Sequence, residues 1–210
     1  MDYSISTTVL ILSSCLWGVV AREYNSVLTV PNGGSWGTWG RKQFCRSGYA
    51  HGFTVKVEKY QGDGPKDGGT YVNGIRLYCT DGTVIYSRTG PWGTWSKPQF
   101  CPSGNLISYV MEVELPQRDK NNVAVTNIQF TCSDGNRLVG SGTNKSYPGP
   151  WSHHCTSGYI CGLQTKLGGW QGEDDDIAFN DMKFFCCTEP EVFPSPTVQY
   201  PHGLVRHDCE

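Results

Sequence analysis

After residue 21 the sequence lacks an apolar run long enough for a transmembrane helix, so we expect no membrane span. It also lacks an excess of charge, because 17 Lys and Arg face 19 Asp and Glu, for a formal net charge of −2. Nucleic acid requires clustered cations that neutralise phosphates, and we expect no such partner. There is no Cys-x-x-Cys pair, and His153-His154-Cys155 alone is too compact for a tetrahedral zinc site. We therefore expect no metal and no cofactor.

Residues 1–21 have the pattern of a secretory signal peptide. Residues 7–21 form an apolar run that is too short to cross a bilayer comfortably and that ends in small side chains. Val19 and Ala21 stand at the third and first positions before the predicted cut, whereas Asp2 departs from the usual basic start. We expect a secreted, extracellular protein whose mature chain begins at Arg22, with a membrane-anchored chain as the alternative.

The composition favours short strands joined by tight turns. The chain has 26 Gly, 12 Pro and 12% aromatic residues, which suits an all-β protein better than a helical one. Ten cysteines in a chain bound for an oxidising compartment indicate a disulfide framework. Cys15 leaves with the signal peptide, and Cys209 lies unmatched in the Pro-containing C-terminal extension, residues 188–210.

A sequence unit of about 55 residues occurs three times in residues 22–187. Each copy begins with a Trp-containing segment that leads to a cysteine, and the third copy is shortened. These segments are Trp36-Gly37-Thr38-Trp39 leading to Cys45, Trp92-Gly93-Thr94-Trp95 leading to Cys101, and Trp151 leading to Cys155. A strand of alternating apolar and polar residues follows, then a polar loop, then a second strand that opens with Asn73, Asn127 or Asn180.

The repeat predicts one all-β domain over residues 22–187. A single hairpin-built sheet leaves one apolar face unburied, whereas three sheets packed around a common axis share one core. We therefore expect a prism with internal pseudo-threefold symmetry.

The place of each cysteine in its copy predicts bridges formed inside each copy. The predicted pairs are Cys45–Cys79, Cys101–Cys132, Cys155–Cys186 and Cys161–Cys187. Because Cys186 and Cys187 are adjacent, an exchange of their partners stays open. Loops of about 30 residues closed in this way contribute about 3–4 kcal/mol each in the chain-entropy model.

Taken together, these motifs resemble the vitelline membrane outer layer protein family over residues 23–187. The segments that carry the resemblance are Val30-Pro31-Asn32-Gly33-Gly34, the Trp-Gly-x-Trp pairs, Cys161-Gly162-Leu163-Gln164-Thr165-Lys166 and Phe184-Phe185-Cys186-Cys187. The resemblance implies a β-prism of three four-stranded antiparallel sheets, secretion, and a structural part in the outer layer of egg coats. A weak chito-oligosaccharide transferase activity is also ascribed to the egg-coat member.

The most enzyme-like feature is an acidic run at residues 173–176, where Asp174, Asp175 and Asp176 are the candidate catalytic residues. Two carboxylates about 5–9 Å apart can cleave or transfer a glycosidic bond. Adjacent loop residues rarely project in that geometry, so a solvated loop is the plainer interpretation and a cation site is another. The other two copies have no Asp-Asp pair at this place, and we do not expect an enzyme.

The most binding-like feature is the repeated tryptophan. Trp36, Trp39, Trp92 and Trp95 are candidate glycan-binding residues, because an exposed indole stacks on the apolar face of a sugar ring. Packing in the core or at its rim is the alternative for a tryptophan at a repeated position. Asn144 begins the one Asn-x-Ser sequon, in a loop rich in Gly and Ser, and predicts N-glycosylation.

The sequence therefore favours a secreted structural or protective protein of the egg-coat kind. Its expected partners are extracellular matrix or egg-coat proteins, with extracellular glycans as candidate ligands. Two other functions stay open: a weak glycosyl transferase or hydrolase that acts on N-acetylglucosamine oligosaccharides, and a carbohydrate-binding module without turnover.

Overall fold

The computed structural model describes residues 22–58, 71–114, 124–142, 147–168 and 179–188. Within these ranges the regular secondary structure consists of β-strands. No helix of the described part is long and apolar enough to cross a membrane. The predicted signal peptide, the extension from residue 189 onward, Asn144 and the acidic run at residues 173–176 lie outside the described residues.

The described residues form fourteen strands, most of them short. Their bounds are β1 Ser26–Leu28, β2 Thr38–Trp39, β3 Gln43–Phe44, β4 Ala50–Val57, β5 Val72–Cys79, β6 Val84–Ile85, β7 Thr94–Trp95, β8 Gln99–Phe100, β9 Leu106–Glu114, β10 Ala124–Cys132, β11 Arg137–Val139, β12 Tyr147–Pro148, β13 Tyr159–Leu167 and β14 Phe179–Cys187. The central strands alternate apolar and polar residues as the sequence predicts.

The strands build three antiparallel sheets. In the first sheet the order is β6-β5-β4-β7, in the second β11-β10-β9-β12, and in the third β1-β14-β13-β2. β8 also pairs with β4, and β3 also pairs with β13. Thus β7–β8 and β2–β3 are each one interrupted edge strand, and every sheet has four strand positions. The predicted β-prism of three four-stranded antiparallel sheets is confirmed.

The boundaries of the sequence copies and of the sheets differ by one edge strand. Trp95 of the second copy pairs with Lys56 of the first, and Trp39 of the first copy pairs with Lys166 of the third. Each Trp-containing segment therefore completes the sheet of the neighbouring copy. The N-terminal strands β1, β2 and β3 complete the sheet built by the C-terminal pair β13 and β14, which closes the three sheets into a ring.

One buried aromatic cluster lies where the three sheets meet. Phe53 comes from the first sheet, Tyr109 and Phe130 from the second, and Phe184 from the third, and all four are buried. The Phe130 ring lies 4.8 Å from that of Phe53 and 5.0 Å from that of Phe184. Each such side chain contributes roughly 1.5–3 kcal/mol by burial. The sheets therefore share a single core, as the repeat predicts.

The second strand of each copy aligns by its cysteine rather than by its asparagine. Asn73 and Asn180 each lie six residues before the cysteine that their strand contributes to a bridge between sheets, whereas Thr126 takes that place in the second copy. All three side chains are buried. Asn127 lies one residue later, at the place of Asp181. The predicted alignment of the asparagines is therefore wrong by one residue in the second copy.

Four disulfides form among the described cysteines, and their pairing agrees with the pairing expected from the repeat. They are Cys45–Cys79, Cys101–Cys132, Cys155–Cys186 and Cys161–Cys187. Their position in space differs from the expectation. Because each Trp-containing segment belongs to the neighbouring sheet, the first three disulfides join one sheet to the next and run around the whole ring. Only Cys161–Cys187 joins two strands of the same sheet, β13 and β14.

We expect the two kinds of disulfide to protect different amides. The double variant Cys45→Ala with Cys79→Ala removes a bridge between sheets, and Cys161→Ala with Cys187→Ala is the matched control within one sheet. Each should lower the free energy of unfolding by about 3–4 kcal/mol, because the closed loops are of similar length. Denaturant unfolding and amide hydrogen exchange measure the effects.

The discriminating amide is Gly40 N–H, which bonds Thr165 C=O at 2.8 Å and joins the edge strand that leads to Cys45 to β13 of the same sheet. Its exchange should accelerate more in the Cys45/Cys79 variant than in the Cys161/Cys187 variant. Equal acceleration in the two variants would contradict the assignment of Cys45–Cys79 as the bridge that fastens this edge strand to the first sheet.

Candidate functional site

The edge strand β2–β3 of the third sheet lies beside the chain that follows β6 of the first sheet. We call this junction the first seam. Two hydrogen bonds cross it: Ser87 Oγ donates to Arg41 C=O at 2.8 Å, and Thr165 Oγ1 donates to Arg88 C=O at 2.7 Å. The disulfide Cys45–Cys79 crosses the same seam, so the two sheets are held in a fixed relation here.

A cleft of about 490 Å³ opens along the first seam, and we call it the seam cleft. Residues 39–41 and 43 line one side, and residues 86–88 line the other. The lining combines two aromatic rings, Trp39 and Tyr86, with two cations, Arg41 and Arg88, and the amide of Gln43. This mixture of flat apolar surface and hydrogen-bond donors is typical of a site for a polar ring-shaped ligand.

Two lysines of the third sheet position Trp39. Lys166 is its partner in the strand register, and Lys166 Nζ donates to the carbonyl oxygens of Gly34 and Ser35 at 3.1 and 2.6 Å. Lys183 Nζ lies 4.2 Å from the centre of the Trp39 ring. A cation over an indole face contributes about 0.5–1 kcal/mol at an exposed site. The indole is therefore oriented before any ligand arrives.

Tyr86, on the opposite wall, is 53% exposed. The guanidinium carbon of Arg76 lies 5.5 Å from the centre of the Tyr86 ring and 3.8 Å from that of Trp95. Arg76 thus contacts both rings, so the cation–aromatic surface continues from the seam cleft across the outer face of the first sheet.

Gly40 allows the two walls to approach closely. A Cβ at this position would lie 2.6 Å from Ser87 Oγ and 2.8 Å from Arg88 Cβ. Any larger side chain would push the first and third sheets apart at the cleft. The small residue at position 40 is therefore a requirement of the seam rather than of the strand.

The matching seam between the first and second sheets has a different lining. Counting from the aligned tryptophans, Trp95 and Lys97 take the places of Trp39 and Arg41. Counting from the paired residues of β6 and β11, Val139 and Ser141 take the places of Tyr86 and Arg88. Gln99 Nε2 donates across this second seam to the carbonyl oxygen of Val139. The second seam therefore lacks the facing aromatic ring and the second arginine.

The four tryptophans predicted from the sequence fall into three environments. Trp36 and Trp92 are 50% and 49% exposed, in the turns that precede β2 and β7. Trp39 lines the seam cleft, and Trp95 lies under Arg76 outside it. The structure therefore brings only Trp39 of the four into the cleft.

The predicted catalytic residues at 174–176 lie outside the described residues.

Sequence reasoning missed Arg41, Tyr86 and Arg88. Tyr86 and Arg88 follow an Asp-Gly turn and were not part of any repeated motif. A signal was nevertheless present, because the repeat has Val139 and Ser141 at the corresponding places. A departure from an internal repeat at exposed positions marks a residue that the shared fold does not require.

Two described carboxylates serve turns. Asp81 accepts hydrogen bonds from the N–H groups of Ser47 and Thr83 at 2.7 and 2.8 Å. Burial alone would raise the pKa of Asp81, but hydrogen bonds from Thr83 and Ser47 hold it below its usual value. Asp134 occupies the equivalent turn of the second copy, where the N–H of Asn136 lowers its pKa. Both groups are ionised and committed to the backbone.

Asp181 differs from these turn carboxylates. Burial raises its pKa above the usual value, although the N–H of Met182 and the charges of Lys166 and Lys183 act in the opposite direction. Its Oδ1 accepts the N–H of Met182 at 2.8 Å. At the matching place in the second sheet, the amide oxygen of Asn127 accepts the next N–H in the same way.

We therefore expect Asp181→Asn to stabilise the protein at neutral pH. The folded state holds the Asp181 proton more tightly than the unfolded chain, so this group lowers stability as pH rises from its unfolded pKa through its raised folded pKa. Asparagine keeps the acceptor for Met182 and does not titrate. Denaturant unfolding of both proteins from about pH 3 to about pH 8 checks this.

The variant should be the more stable protein above the raised pKa, and the difference should vanish below the ordinary range for aspartate. A variant that is less stable at neutral pH, with an unchanged dependence on pH, would show that the carboxylate is favoured in its charged form.

Comparison with known proteins places this geometry in a family. A family model described as vitelline membrane outer layer protein I matches residues 26–189. The vitelline membrane outer layer protein 1 homolog of Mus musculus is 44% identical over 176 residues, covering 80% of this chain and 86% of the relative. The Homo sapiens homolog is 43% identical over 172 residues, covering 78% and 84%.

Solved lectin structures share the fold. Calystegia sepium agglutinin has a TM-score of 0.50 at 12% identity, covering 79% of this chain and 97% of the agglutinin. Calsepa lectin in complex with a bisected glycan has a TM-score of 0.51 at 11% identity, covering 79% and 99%. At these identities the likeness shows the three-sheet fold alone.

Proposed function

The chain belongs to the vitelline membrane outer layer protein I family, and on that premise we propose that it is a secreted structural or protective protein of an extracellular coat. We further propose that it binds glycans in the seam cleft without transforming them. One observation carries this proposal: Trp39 and Tyr86 face the same cleft together with Arg41, Gln43 and Arg88.

The lining suits a saccharide because a sugar ring has two kinds of surface. Its C–H face packs on an aromatic ring, and its hydroxyl rim exchanges hydrogen bonds with polar side chains. Trp39 and Tyr86 supply the rings, and Gln43 and the two arginines supply donors. A partner that offers only an apolar surface would leave these donors without acceptors, at a cost in free energy.

The rigidity of the seam favours binding. Cys45–Cys79 and the two hydrogen bonds to Arg41 C=O and Arg88 C=O hold both walls before a ligand arrives. A preorganised site spends less of its interaction free energy on ordering side chains and loops. The same disulfides, running from sheet to sheet, suit a protein that has to persist outside the cell.

Binding without turnover is supported by the structural roles of five described carboxylates. Glu58 accepts a hydrogen bond from Asn73 Nδ2, and Glu112 accepts one from Gln129 Nε2. Asp81 and Asp134 bind backbone N–H groups in turns, and Asp181 binds the N–H of Met182. The transferase or hydrolase alternative rests on the family resemblance and on Asp174 and its neighbours in the acidic run. No contact in the described part of the chain favours it.

We expect Trp39→Ala and Tyr86→Ala each to weaken glycan binding by about tenfold, because each removes one stacking surface. The matched control is Trp95→Ala, which removes the equivalent tryptophan of the second seam. A glycan array of the mature protein identifies a ligand, and titration calorimetry with that ligand compares the variants. Near-ultraviolet circular dichroism verifies that each variant is folded.

The alternative platform is tested in parallel with a Trp36→Ala, Trp92→Ala double variant. Loss of binding in that variant, with full binding in Trp39→Ala and Tyr86→Ala, would move the site from the seam cleft to the exposed turns. Failure of the natural protein to bind any glycan would refute the glycan-binding part of the proposal.

A further inference from the structure

We propose that the glycan of the seam cleft is acidic, a saccharide that carries carboxylate or sulfate groups recognised by Arg41 and Arg88. This inference rests on the proposed function, and it names the class of ligand that the same site selects.

Four cations surround the cleft. Arg41 and Arg88 line it, Lys183 lies 4.2 Å from the Trp39 ring, and Arg76 lies 5.5 Å from the Tyr86 ring. No acidic side chain belongs to the lining within the part of the chain that the structure describes. The whole protein has a formal net charge of −2, so this clustering of positive charge runs against its overall sign. Such a local field attracts an anionic ligand.

The arginine side chains are available to a ligand. The hydrogen bonds that hold the seam end on the main-chain carbonyl oxygens of Arg41 and Arg88, not on their guanidinium groups. Both residues are exposed. A guanidinium presents donors in a planar fork that matches a carboxylate or sulfate, and such charge-assisted bonds are about twice as strong as neutral ones. Neutral hydroxyls would use this fork less well.

One nearby acid acts on the lysines rather than on the cleft lining. Asp181 interacts electrostatically with Lys166 and Lys183. Its Oδ1 also accepts the N–H of Met182, which directs this carboxylate toward its own strand. The two lining arginines therefore keep the positive field of the cleft.

The second seam is a natural comparison inside the same molecule. It keeps a tryptophan, Trp95, and a cation, Lys97, but it has Val139 and Ser141 where the cleft has Tyr86 and Arg88. The two seams thus differ by one aromatic ring and by two guanidinium groups, one of which is replaced by an ammonium group in the second seam. Their joint presence favours an acidic sugar over an acidic peptide, because a peptide carboxylate brings no ring to stack between Trp39 and Tyr86.

Four probes separate these ligand classes in direct binding titrations. Hyaluronan hexasaccharide carries carboxylates, chondroitin sulfate hexasaccharide carries sulfates as well, and chitohexaose is a neutral chain of the same length. Poly-glutamate supplies carboxylates without sugar rings. We expect the acidic saccharides to bind at least about tenfold more tightly than chitohexaose and poly-glutamate, with an affinity that falls as salt is added.

The variants Arg41→Gln and Arg88→Ser should each weaken the binding of the acidic saccharides by about tenfold. They should change the affinity for chitohexaose little. Arg88→Ser introduces the residue that the second seam already has, so the fold tolerates it. Lys97→Gln is the matched control, because it removes the equivalent cation outside the cleft, and it should leave all affinities unchanged.

The outcomes distinguish this inference from the function on which it rests. Equal binding of chitohexaose and hyaluronan, unchanged by Arg41→Gln and Arg88→Ser, overturns the acidic preference and leaves glycan binding standing. Binding of poly-glutamate as tight as that of hyaluronan shows charge recognition without a sugar and overturns the inference. A lack of binding to all three saccharides overturns both.

Discussion

The pairing of β2 and β3 with β13 is the interaction on which the rest of the structure depends. It joins the first Trp-containing segment to the last hairpin and turns a linear repeat into a closed ring of three sheets. Without it, β13 would present an unpaired edge, and the shared core would open at one corner. The first seam exists only because β2 and β3 lie in the third sheet, whereas the next strands of the same copy, β4 and β5, lie in the first sheet.

The same offset gives the disulfides their mechanical role. A bridge between residues of one copy, such as Cys45–Cys79, becomes a bridge between two sheets, because its two ends belong to different sheets. Three bridges of this kind fasten the ring at successive seams. Rigid seams are suitable places for recognition, since exposed residues such as Arg41 and Tyr86 can vary there without disturbing the core.

Much of the fold could be predicted from the sequence because the repeat fixes it. The alternation in the paired strands and the matched cysteines depend on local period and spacing, which a sequence displays directly. The sequence could not show that each Trp-containing segment joins the sheet of the neighbouring copy. An edge strand that joins the neighbouring sheet and one that stays in its own sheet have the same sequence pattern. Asn127 was aligned with Asn73 and Asn180 for a similar reason: all three strands have the same register shift, but in the second copy Thr126 lies at the shift and the asparagine follows it.

The candidate site was harder to predict than the fold. The repeated Trp-Gly-x-Trp motif predicted Trp39 as a binding residue, but it equally predicted Trp36, Trp92 and Trp95, which lie outside the seam cleft. Tyr86 and Trp39 line the same cleft only through tertiary packing, because they lie on different sheets.

The most direct measurement is a crystal structure of the mature protein with a bound hyaluronan oligosaccharide. We expect a sugar ring between Trp39 and Tyr86, with its carboxylate about 3 Å from the guanidinium nitrogens of Arg41 or Arg88. A saccharide bound at Trp36 or Trp92, with the seam cleft empty, would contradict it.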